Sequence, residues 1–391
     1  MVNIFMNLLS KTTNAVPDGL AYFVDQVPEQ SNFLAEVISG LSQSPKSIPP
    51  KFFYNETGSY LFNKICETPE YYVTRTEISL LKNNGTEISA LIGAASNVIE
   101  YGCGSSLKIN ALLSALHEPA EYLAIDISHV HLIQTAKSVA KTFPAVKVGA
   151  LCADFMEIVD LPKMFGISGK APLLFFPGST IGNQTPGEAG QFLGRVHNLL
   201  GANASILIGV DLKKDKHILN RAYDDAEGFT AAFNLNLLKR MKNELKAEVD
   251  VGSFYHLAFF NEQQSRVEMH LVSKRAQTIT LEGSTFEFLP DETIHTENSY
   301  KYSLKEFSKI AENNGFTVRK TWTDQEKLFS IQYLVWDKCT CDKIDMVGSQ
   351  LLCLSLLRIL DYAEFVSGES DIKINRKYMI MSTRPNVENQ H

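Results

Sequence analysis

Apolar runs that alternate with helical segments fill the sequence from about residue 76 to residue 212. The runs are apolar almost throughout, and they lie at residues 96–102, 122–128, 146–155, 171–179 and 204–212. Strands separated by helices pair in parallel, and strands covered on both faces lose the in-and-out alternation of a half-exposed sheet. The pattern therefore predicts an α/β fold built on a doubly wound, mostly parallel sheet.

The alternation of apolar strands and helices stops after Asp211 and resumes after Tyr302. Residues 215–225 and 228–245 have helical spacing, and residues 253–281 suggest strands with a turn at residues 261–265. Residues 304–336 suggest a helix followed by a hairpin. This order predicts a second, α+β domain inserted into the sheet domain. The second domain is assigned residues 15–75 and 213–301, the sheet domain residues 76–212 and 302–336, and a C-terminal extension residues 337–391.

The C-terminal extension falls outside the repeated strand–helix pattern. Its most apolar part, residues 346–366, carries Arg358, Asp361 and Glu364, which predicts an amphipathic helix and not a membrane span. Such a helix packs on its own chain or forms a dimer or partner contact, so we expect a monomer or a weak dimer. The first twenty residues lack the basic region and long apolar core of a signal peptide.

The charge and the cysteines argue against several classes of protein. The formal net charge is −7 and no long basic run is present, so nucleic acid is a poor candidate for the main partner. The 6 cysteines are scattered, which fits neither a zinc site nor a disulfide scaffold and indicates a reducing, cytoplasmic compartment. The 9 histidines show no metal-ligand spacing on a helix face, so we predict no metal.

A glycine-rich turn follows the first predicted strand of the sheet domain. Residues 97–108 read NVIEYGCGSSLK, so Gly102 and Gly104 stand between a strand and a helix, where backbone N–H groups can meet a ligand. A dinucleotide loop would have a third glycine where Leu107 stands, and a phosphate loop would need a lysine directly after its last glycine. Glu100, just before the turn, repels phosphate. The loop therefore favours a ligand without a pyrophosphate.

Carboxylates end the next two predicted strands. Asp126 stands where a carboxylate can accept hydrogen bonds from both ribose hydroxyls, and Asp154 stands where it can accept from an adenine amino group that Phe155 covers. A nucleoside that has no phosphate but carries an amino acid tail is S-adenosylmethionine (SAM). The alternative is that the glycines only form a tight turn and the aspartates only cap helices. Three such features after three successive strands favour the cofactor.

Several longer stretches resemble one enzyme family, the SAM-dependent histidine Nα-methyltransferases of ergothioneine biosynthesis. The stretches are residues 49–75, 100–106, 175–183, 221–245, 266–273 and 295–303, and the resemblance spans roughly residues 20 to 335. It implies a Rossmann-type class I methyltransferase domain with an inserted second domain that holds the amino acid. It also implies that three methyl groups are transferred in succession to the amine of L-histidine, which gives the betaine hercynine.

The resemblance implies roles for individual residues of this sequence. The catalytic residues that orient the amine would be Tyr54 and Asn183. The substrate-binding residues would be Phe62, Tyr71, Asn183 and Tyr223 around the amino acid end, and Met269, Glu297 and Ser299 around the imidazole ring. The cofactor-binding residues would be Gly102, Gly104, Ser105, Lys108, Asp126, Asp154 and Phe155. Glu297 and Ser299 would face the same way on an extended segment, where they could bind both ring nitrogens.

Two other functions stay open from the sequence. The same chemistry on another amino acid, such as an aromatic or indole one or a histidine derivative, uses most of the same residues, although Glu297 with Ser299 favours imidazole. A non-catalytic protein that binds SAM or histidine is the second alternative, and the complete set of pocket residues argues against it. Taken singly, Met269 and the tyrosines are better explained as packing residues and Glu297 as a surface charge. Their joint occurrence inside the matching stretches is what favours a functional role.

Overall fold

The computed structural model describes residues 16–26, 31–158, 160–161, 165–166, 172–201 and 203–337 of the 391-residue chain. The strands in these residues are β1 (Tyr22–Asp25), β2 (Lys46–Ser47), β3 (Asn97–Tyr101), β4 (Glu121–Asp126), β5 (Lys147–Cys152), β6 (Pro172–Phe176), β7 (Ser205–Asp211), β8 (Phe254–Asn261), β9 (Arg266–Ser273), β10 (Gln277–Leu281), β11 (Ser284–Phe288), β12 (Thr293–Tyr300), β13 (Phe316–Thr323) and β14 (Phe329–Trp336). The α-helices are α1 (Ser31–Leu41), α2 (Glu56–Glu67), α3 (Tyr72–Asn83), α4 (Gly85–Ile92), α5 (Leu107–Ala115), α6 (His129–Thr142), α7 (Pro186–Leu200), α8 (Lys216–Ala222), α9 (Phe229–Glu244) and α10 (Leu304–Asn313). Short 3₁₀ helices lie at Pro50–Phe53, Thr180–Asn183 and Val251–Ser253.

The main sheet has eight strands in the order β1-β5-β4-β3-β6-β7-β14-β13. The strands from β1 to β7 run parallel, and β14 is antiparallel to both of its neighbours. The chain winds outward in one direction from β3 and in the other from β6, so a crevice opens beyond the carboxyl ends of these strands, where open α/β sheets bind ligands. β3 and β6 are buried along their whole length. The predicted doubly wound sheet is confirmed.

Capping residues set the start of two helices that border this sheet. At α7, the Thr185 side chain accepts a hydrogen bond from the Glu188 backbone N–H, and the Glu188 carboxylate accepts one from the Thr185 backbone N–H. Ser303 and Glu306 form the same capping box at α10. These bonds satisfy N–H groups that a helix leaves unpaired at its start. α10 packs against α7 and β13, and the predicted terminal hairpin β13–β14 completes the sheet.

A second sheet has the order β2-β12-β9-β8, and β10 and β11 form a separate hairpin. The predicted turn at residues 261–265 joins β8 to β9, and α9 packs against both strands. A β-bulge lies between His295 and Glu297 of β12. The extra residue shifts the alternation of side chains, so His295 stacks on His270 whereas Glu297 and Ser299 reach the cavity described below.

The predicted division into two domains needs a correction at β1. Residues 15–75 are assigned to the second domain by their sequence, yet Tyr22–Asp25 pairs in parallel with β5 at the edge of the main sheet. A four-residue strand carries no local sign of a partner so distant in the chain, and only the folded structure reveals the pairing. The other boundaries stay predictions, and α3 spans the one placed between residues 75 and 76.

Several predictions fall on parts of the chain that the structure does not describe. The C-terminal extension lies outside the described residues except for Asp337, and with it the predicted helix at residues 346–366. Residues 1–15 also lie outside them. In the described part of the chain, no helix is long and apolar enough to cross a membrane.

Candidate active site

A cavity of about 510 Å³ lies at the carboxyl ends of the parallel strands. Its walls come from the loops after β3, β4, β5 and β6, from residues 49–74, and from Tyr223, Glu297 and Ser299. Every residue that the sequence predicted for the site lines this cavity, with the exception of Met269. The fold thus brings candidate cofactor and substrate residues from distant parts of the chain to one place.

The loop after β3 adopts a conformation that requires glycine. Gly102 has a φ angle of +69° and Gly104 one of +40°, in the left-handed region that side chains disfavour. Cys103 between them is buried, and its backbone N–H donates to the Ile125 carbonyl of β4 at 3.3 Å. α5 then begins at Leu107. The main chain of this loop therefore borders the cavity, where a ligand can lie directly against it.

Asp126 is the last residue of β4, Asp154 lies two residues after β5, and both line the cavity. One oxygen of each carboxylate accepts from the backbone N–H two residues further on, Ser128 at 2.8 Å and Met156 at 3.0 Å. The other oxygen of Asp154 accepts from the Lys51 ammonium at 3.3 Å. Burial raises the pKa of Asp126. The second oxygen of Asp126 accepts from the Gly104 backbone N–H at a longer distance, 3.4 Å. The two interpretations of these aspartates are compatible, because a carboxylate oxygen that already accepts one hydrogen bond can accept another.

Two further groups test whether the cavity fits SAM. Glu100, at 1% exposure, accepts a hydrogen bond from Tyr122 through Oε2, whereas its Oε1 has no partner among the described residues. Such an acceptor suits the amino group of the cofactor's methionine part. Lys108, paired with Glu77 at 2.8 Å, suits the carboxylate of that part. The residues that line the cavity therefore fit SAM.

Aromatic side chains form the wall near the second sheet. Tyr54, Phe62, Tyr71 and Tyr223 follow one another edge to face, with ring centroids 5.8, 6.1 and 6.2 Å apart. Burial raises the pKa of Tyr54 and Tyr71 well above the usual value, so both hydroxyl groups stay protonated at neutral pH. The wall thus limits the access of water and supplies hydroxyl donors for a polar ligand.

Glu297 and Ser299 lie two residues apart on β12 and both face the cavity. Burial raises the pKa of Glu297 to about 7, although the nearby Lys301 ammonium opposes the rise. Ser299 Oγ accepts hydrogen bonds from the Tyr223 hydroxyl at 2.7 Å and from Lys301 Nζ at 2.8 Å. A carboxylate and a hydroxyl in this arrangement can bind the two nitrogens of an imidazole ring.

Asn183 ends the 3₁₀ helix that follows β6. The chain enters this helix through Gly178, with φ +79°, and Ser179, with φ +57°. Gly182 approaches β12 so closely that a Cβ atom there would lie 2.9 Å from the Tyr300 carbonyl oxygen. The glycine therefore allows the 3₁₀ helix to pack on β12 and places the Asn183 amide, which can both donate and accept, at the cavity.

Sequence reasoning missed three buried charged residues around the cavity, Glu77, Asp211 and Lys301, each at most 1% exposed. Asp211 gave a usable signal, because a carboxylate that ends an apolar strand needs a cation. Its partners Lys214 and Lys301, however, come from other segments. Met269, which the resemblance places at the ring, is buried opposite Glu297 in the sheet and does not belong to the cavity wall.

A cluster outside the cavity also escaped the sequence analysis. Glu268, His270 and His295 have potential metal-ligand atoms within 4.8 Å of one another. Cross-strand pairing of His270 with His295 creates the cluster, so a search of helix faces could not reveal it. Arg266 contacts the Glu268 carboxylate at 2.8 Å and Asn261 donates to it at 3.0 Å. The carboxylate is therefore already paired with a cation.

The sheet order, the antiparallel β14, the glycine loop after β3 and the carboxylate at the end of β4 together define a class I SAM-dependent methyltransferase. The cavity holds the groups that such an enzyme needs for its cofactor. More narrowly, the chain belongs to the histidine-specific, SAM-dependent methyltransferase family, whose family model matches residues 33–336. The family and the cofactor expected from the sequence are confirmed.

Relatives with curated names are similar over most of the chain. The histidine N-alpha-methyltransferase of Mycolicibacterium smegmatis is 36% identical over 77% of this chain and 94% of its own length. The ergothioneine biosynthesis protein 1 of Neurospora crassa is 28% identical over 81% of this chain but only 36% of its own length. The 4-dimethylallyltryptophan N-methyltransferase of Claviceps purpurea is 29% identical over 77% of this chain and 92% of its own length.

Proposed function

We propose that the enzyme transfers methyl groups from SAM to the α-amine of L-histidine and continues to the trimethylated betaine, hercynine, for ergothioneine biosynthesis. The observation that carries the proposal is the pair Glu297 and Ser299 in the cavity wall. A carboxylate that accepts from a ring N–H would be left buried and unpaired by a phenyl ring, which disfavours such substrates strongly. The similarity to a relative named for histidine methylation supports the same substrate.

The residues of the chain have to hold a neutral amine in one orientation. SAM, when bound, supplies a methyl carbon on a positively charged sulfur. Tyr54 and the Asn183 side-chain carbonyl orient the amine, and their hydrogen bonds can be given up as N–H groups are replaced by methyl groups. Tyr71 holds the α-carboxylate, and Phe62 keeps water from that end of the cavity. Holding both reactants in place removes the entropy cost of a two-body encounter, which supplies much of the rate.

Replacing Tyr71 with phenylalanine tests the carboxylate site. We expect Tyr71→Phe to raise the KM for histidine about tenfold or more, because a hydrogen bond to a charged group is lost. The Kd for SAM should change much less. Steady-state kinetics with calorimetric SAM binding measures both, and Tyr60→Phe, an exposed tyrosine of α2, is the matched control. An unchanged KM would remove Tyr71 from this role.

Mass spectrometry of the products tests the proposed function directly. Histidine incubated with the enzyme and excess SAM should gain the mass of one, two and finally three methyl groups, and fragmentation should place all of them on the α-nitrogen. A product that stops at one methyl group would refute the betaine, and methylation of a ring nitrogen would refute the position. Absence of any product would favour a protein that only binds these ligands.

Methylation of another amino acid is the second candidate. The similarity to a relative named for 4-dimethylallyltryptophan is the observation that favours it. Competition between histidine, tryptophan and other amino acids in one reaction decides between the two, and a higher kcat/KM for an indole substrate would overturn the histidine proposal.

We place the reaction in the cytoplasm, because Cys66, Cys103 and Cys152 are free thiols.

A further inference from the structure

A group of buried polar side chains connects the cavity to the main sheet. Lys301, directly after β12, donates from Nζ to Asp211 at 2.7 Å, to Ser299 Oγ at 2.8 Å and to the Tyr223 hydroxyl at 3.0 Å. Asp211 also accepts from another hydroxyl group and a second ammonium group. The Lys301 network consists of Lys301, Asp211, Ser299, Tyr223, Tyr72 and Lys214.

The network pairs one carboxylate with two ammonium groups, and its centre is buried. Burial works against ionisation of Asp211, but the Lys301 and Lys214 ammonium groups outweigh it and lower the pKa of this carboxyl. Burial also disfavours the charge of Lys301, but Asp211 outweighs it and raises the pKa of the ammonium. Lys301 therefore stays protonated, and its three N–H donors serve three acceptors.

The hydroxyl group of Ser299 has only one way left to bond. A serine oxygen has two lone pairs and one proton. Lys301 Nζ and the Tyr223 hydroxyl donate to the two lone pairs, at 2.8 and 2.7 Å. The Ser299 proton must therefore leave the network, and the cavity that Ser299 lines is where an acceptor for it can sit.

We propose that Lys301 is a positioning residue that holds the Ser299 hydroxyl as a donor to the substrate ring, so that Ser299 and Glu297 together select a neutral imidazole. This inference rests on the proposed function. Glu297, as a carboxylate, accepts a hydrogen bond from the ring N–H. Ser299 donates its proton to the ring nitrogen that carries no hydrogen. Imidazolium has no such nitrogen, so it loses the Ser299 bond. The site is then specific for the ring's protonation state as well as its shape.

The same count of protons affects Tyr223. Its hydroxyl proton goes to Ser299, so it cannot also go to the substrate carboxylate that the resemblance assigns to Tyr223. In the network, the Tyr223 hydroxyl donates to the lone pair of Ser299 Oγ that Lys301 does not use. Tyr71, whose ring neighbours that of Tyr223 at 6.2 Å, is then the tyrosine that serves the carboxylate.

Two histidine analogues separate a donating Ser299 from an accepting one. The thiazole analogue offers a ring nitrogen acceptor but no ring N–H, and the pyrrole analogue offers the N–H but no acceptor. We expect Ser299→Ala to weaken inhibition by the thiazole analogue about tenfold and to leave the pyrrole analogue within about twofold. The opposite pattern, or equal losses for both analogues, would overturn the proposal. Both analogues can also be measured by calorimetry, with no turnover required.

A matched pair of lysine variants tests the role of Lys301 itself. Lys301→Met and Lys214→Met each remove one ammonium group from Asp211, but only Lys301 touches Ser299 and Tyr223. We expect Lys301→Met to raise the histidine KM about tenfold or more and to reduce the selectivity between the two analogues. Lys214→Met should change KM less than about threefold. Equal effects of the two variants would mean that the network only stabilises the fold.

The outcomes distinguish this inference from the proposed function. If the wild-type enzyme does not methylate histidine, the proposed function fails, whereas analogue binding still reports how Ser299 is oriented. If histidine is methylated but the analogues show the reversed pattern, only the inference fails. Should Lys301→Met not fold, Ser299→Ala decides alone, because it leaves both cations of Asp211 in place.

Discussion

The variant Asp126→Ala is expected to bind SAM at least about a hundredfold more weakly than the wild-type enzyme. Asp126 lies at the end of β4 with its carboxylate in the cavity wall, where it would accept from both ribose hydroxyls. Each hydrogen bond to a charged group contributes about 1.5–3 kcal/mol, and the variant loses both. Isothermal titration calorimetry with SAM or its demethylated product measures the loss.

A control separates this effect from a general change in charge. Asp18→Ala removes an exposed carboxylate and should leave SAM binding unchanged. Circular dichroism of Asp126→Ala should show a folded protein, because the variant loses only two backbone contacts, from the N–H groups of Ser128 at 2.8 Å and Gly104 at 3.4 Å. A Kd for SAM within about threefold of the wild-type value would place the ribose elsewhere in the cavity.

The variant Glu297→Gln is expected to bind histidine worse and yet to be more stable at alkaline pH. The amide keeps the shape of the side chain but loses the charge that accepts from the ring N–H, so the histidine KM should rise about tenfold to a hundredfold. Burial of the ionised carboxylate costs stability, as its pKa of about 7 indicates. Without a ligand, the ionised carboxylate of Glu297 therefore destabilises the folded enzyme, and a hydrogen bond from the ring of bound histidine offsets this cost.

The pH dependence of stability follows from the direction of this shift. The folded protein holds the Glu297 proton up to about pH 7, whereas the unfolded chain releases it near the ordinary glutamate pKa of 4.5. Stability of the ligand-free enzyme therefore falls as pH rises between these values and levels off above them. The stability of Glu297→Gln does not fall in this way. Its free energy of unfolding should therefore exceed that of the wild type by on the order of 2 kcal/mol at pH 8, after allowance for access of water to the cavity.

Denaturant unfolding at pH 5 and pH 8 measures the difference. Glu287→Gln makes the same substitution at an exposed position of β11 and should show no such dependence on pH. A Glu297→Gln variant that is less stable than the wild type at both pH values would show that burial of the ionised carboxylate does not destabilise the fold. Kinetics over the same pH range should show the histidine KM of the wild type rising below about pH 7.

Local patterns in the sequence predict most of the framework. Continuous apolar runs predict β3 to β7, and the capping boxes at Thr185 and Ser303 start helices where the periodic segments begin. Positive φ angles at Gly102 and Gly104 agree with a turn that only glycine makes easily. These features depend on residues that are close together in the chain, so they can be predicted from the sequence.

The candidate site was predicted less completely than the framework. Most of its residues come from a resemblance, and the cavity lining includes all of them apart from Met269. Their periodicity alone would have left Tyr54, Tyr71 and Tyr223 as packing residues. Glu100 was interpreted only as a residue that repels phosphate, and its acceptor without a partner appears only after folding.

The sequence by itself determined the alternation of strands and helices, the glycine turn and the carboxylates that end the strands, because each depends on spacing within one segment. The tertiary structure alone decided that β1 joins the edge of the main sheet, that the bulge in β12 turns Glu297 into the cavity, and that Lys301 meets Tyr223, 78 positions away. Contacts between distant segments depend on how whole elements pack, and the charge of Lys301 has no effect on Ser299 until burial removes the water between them.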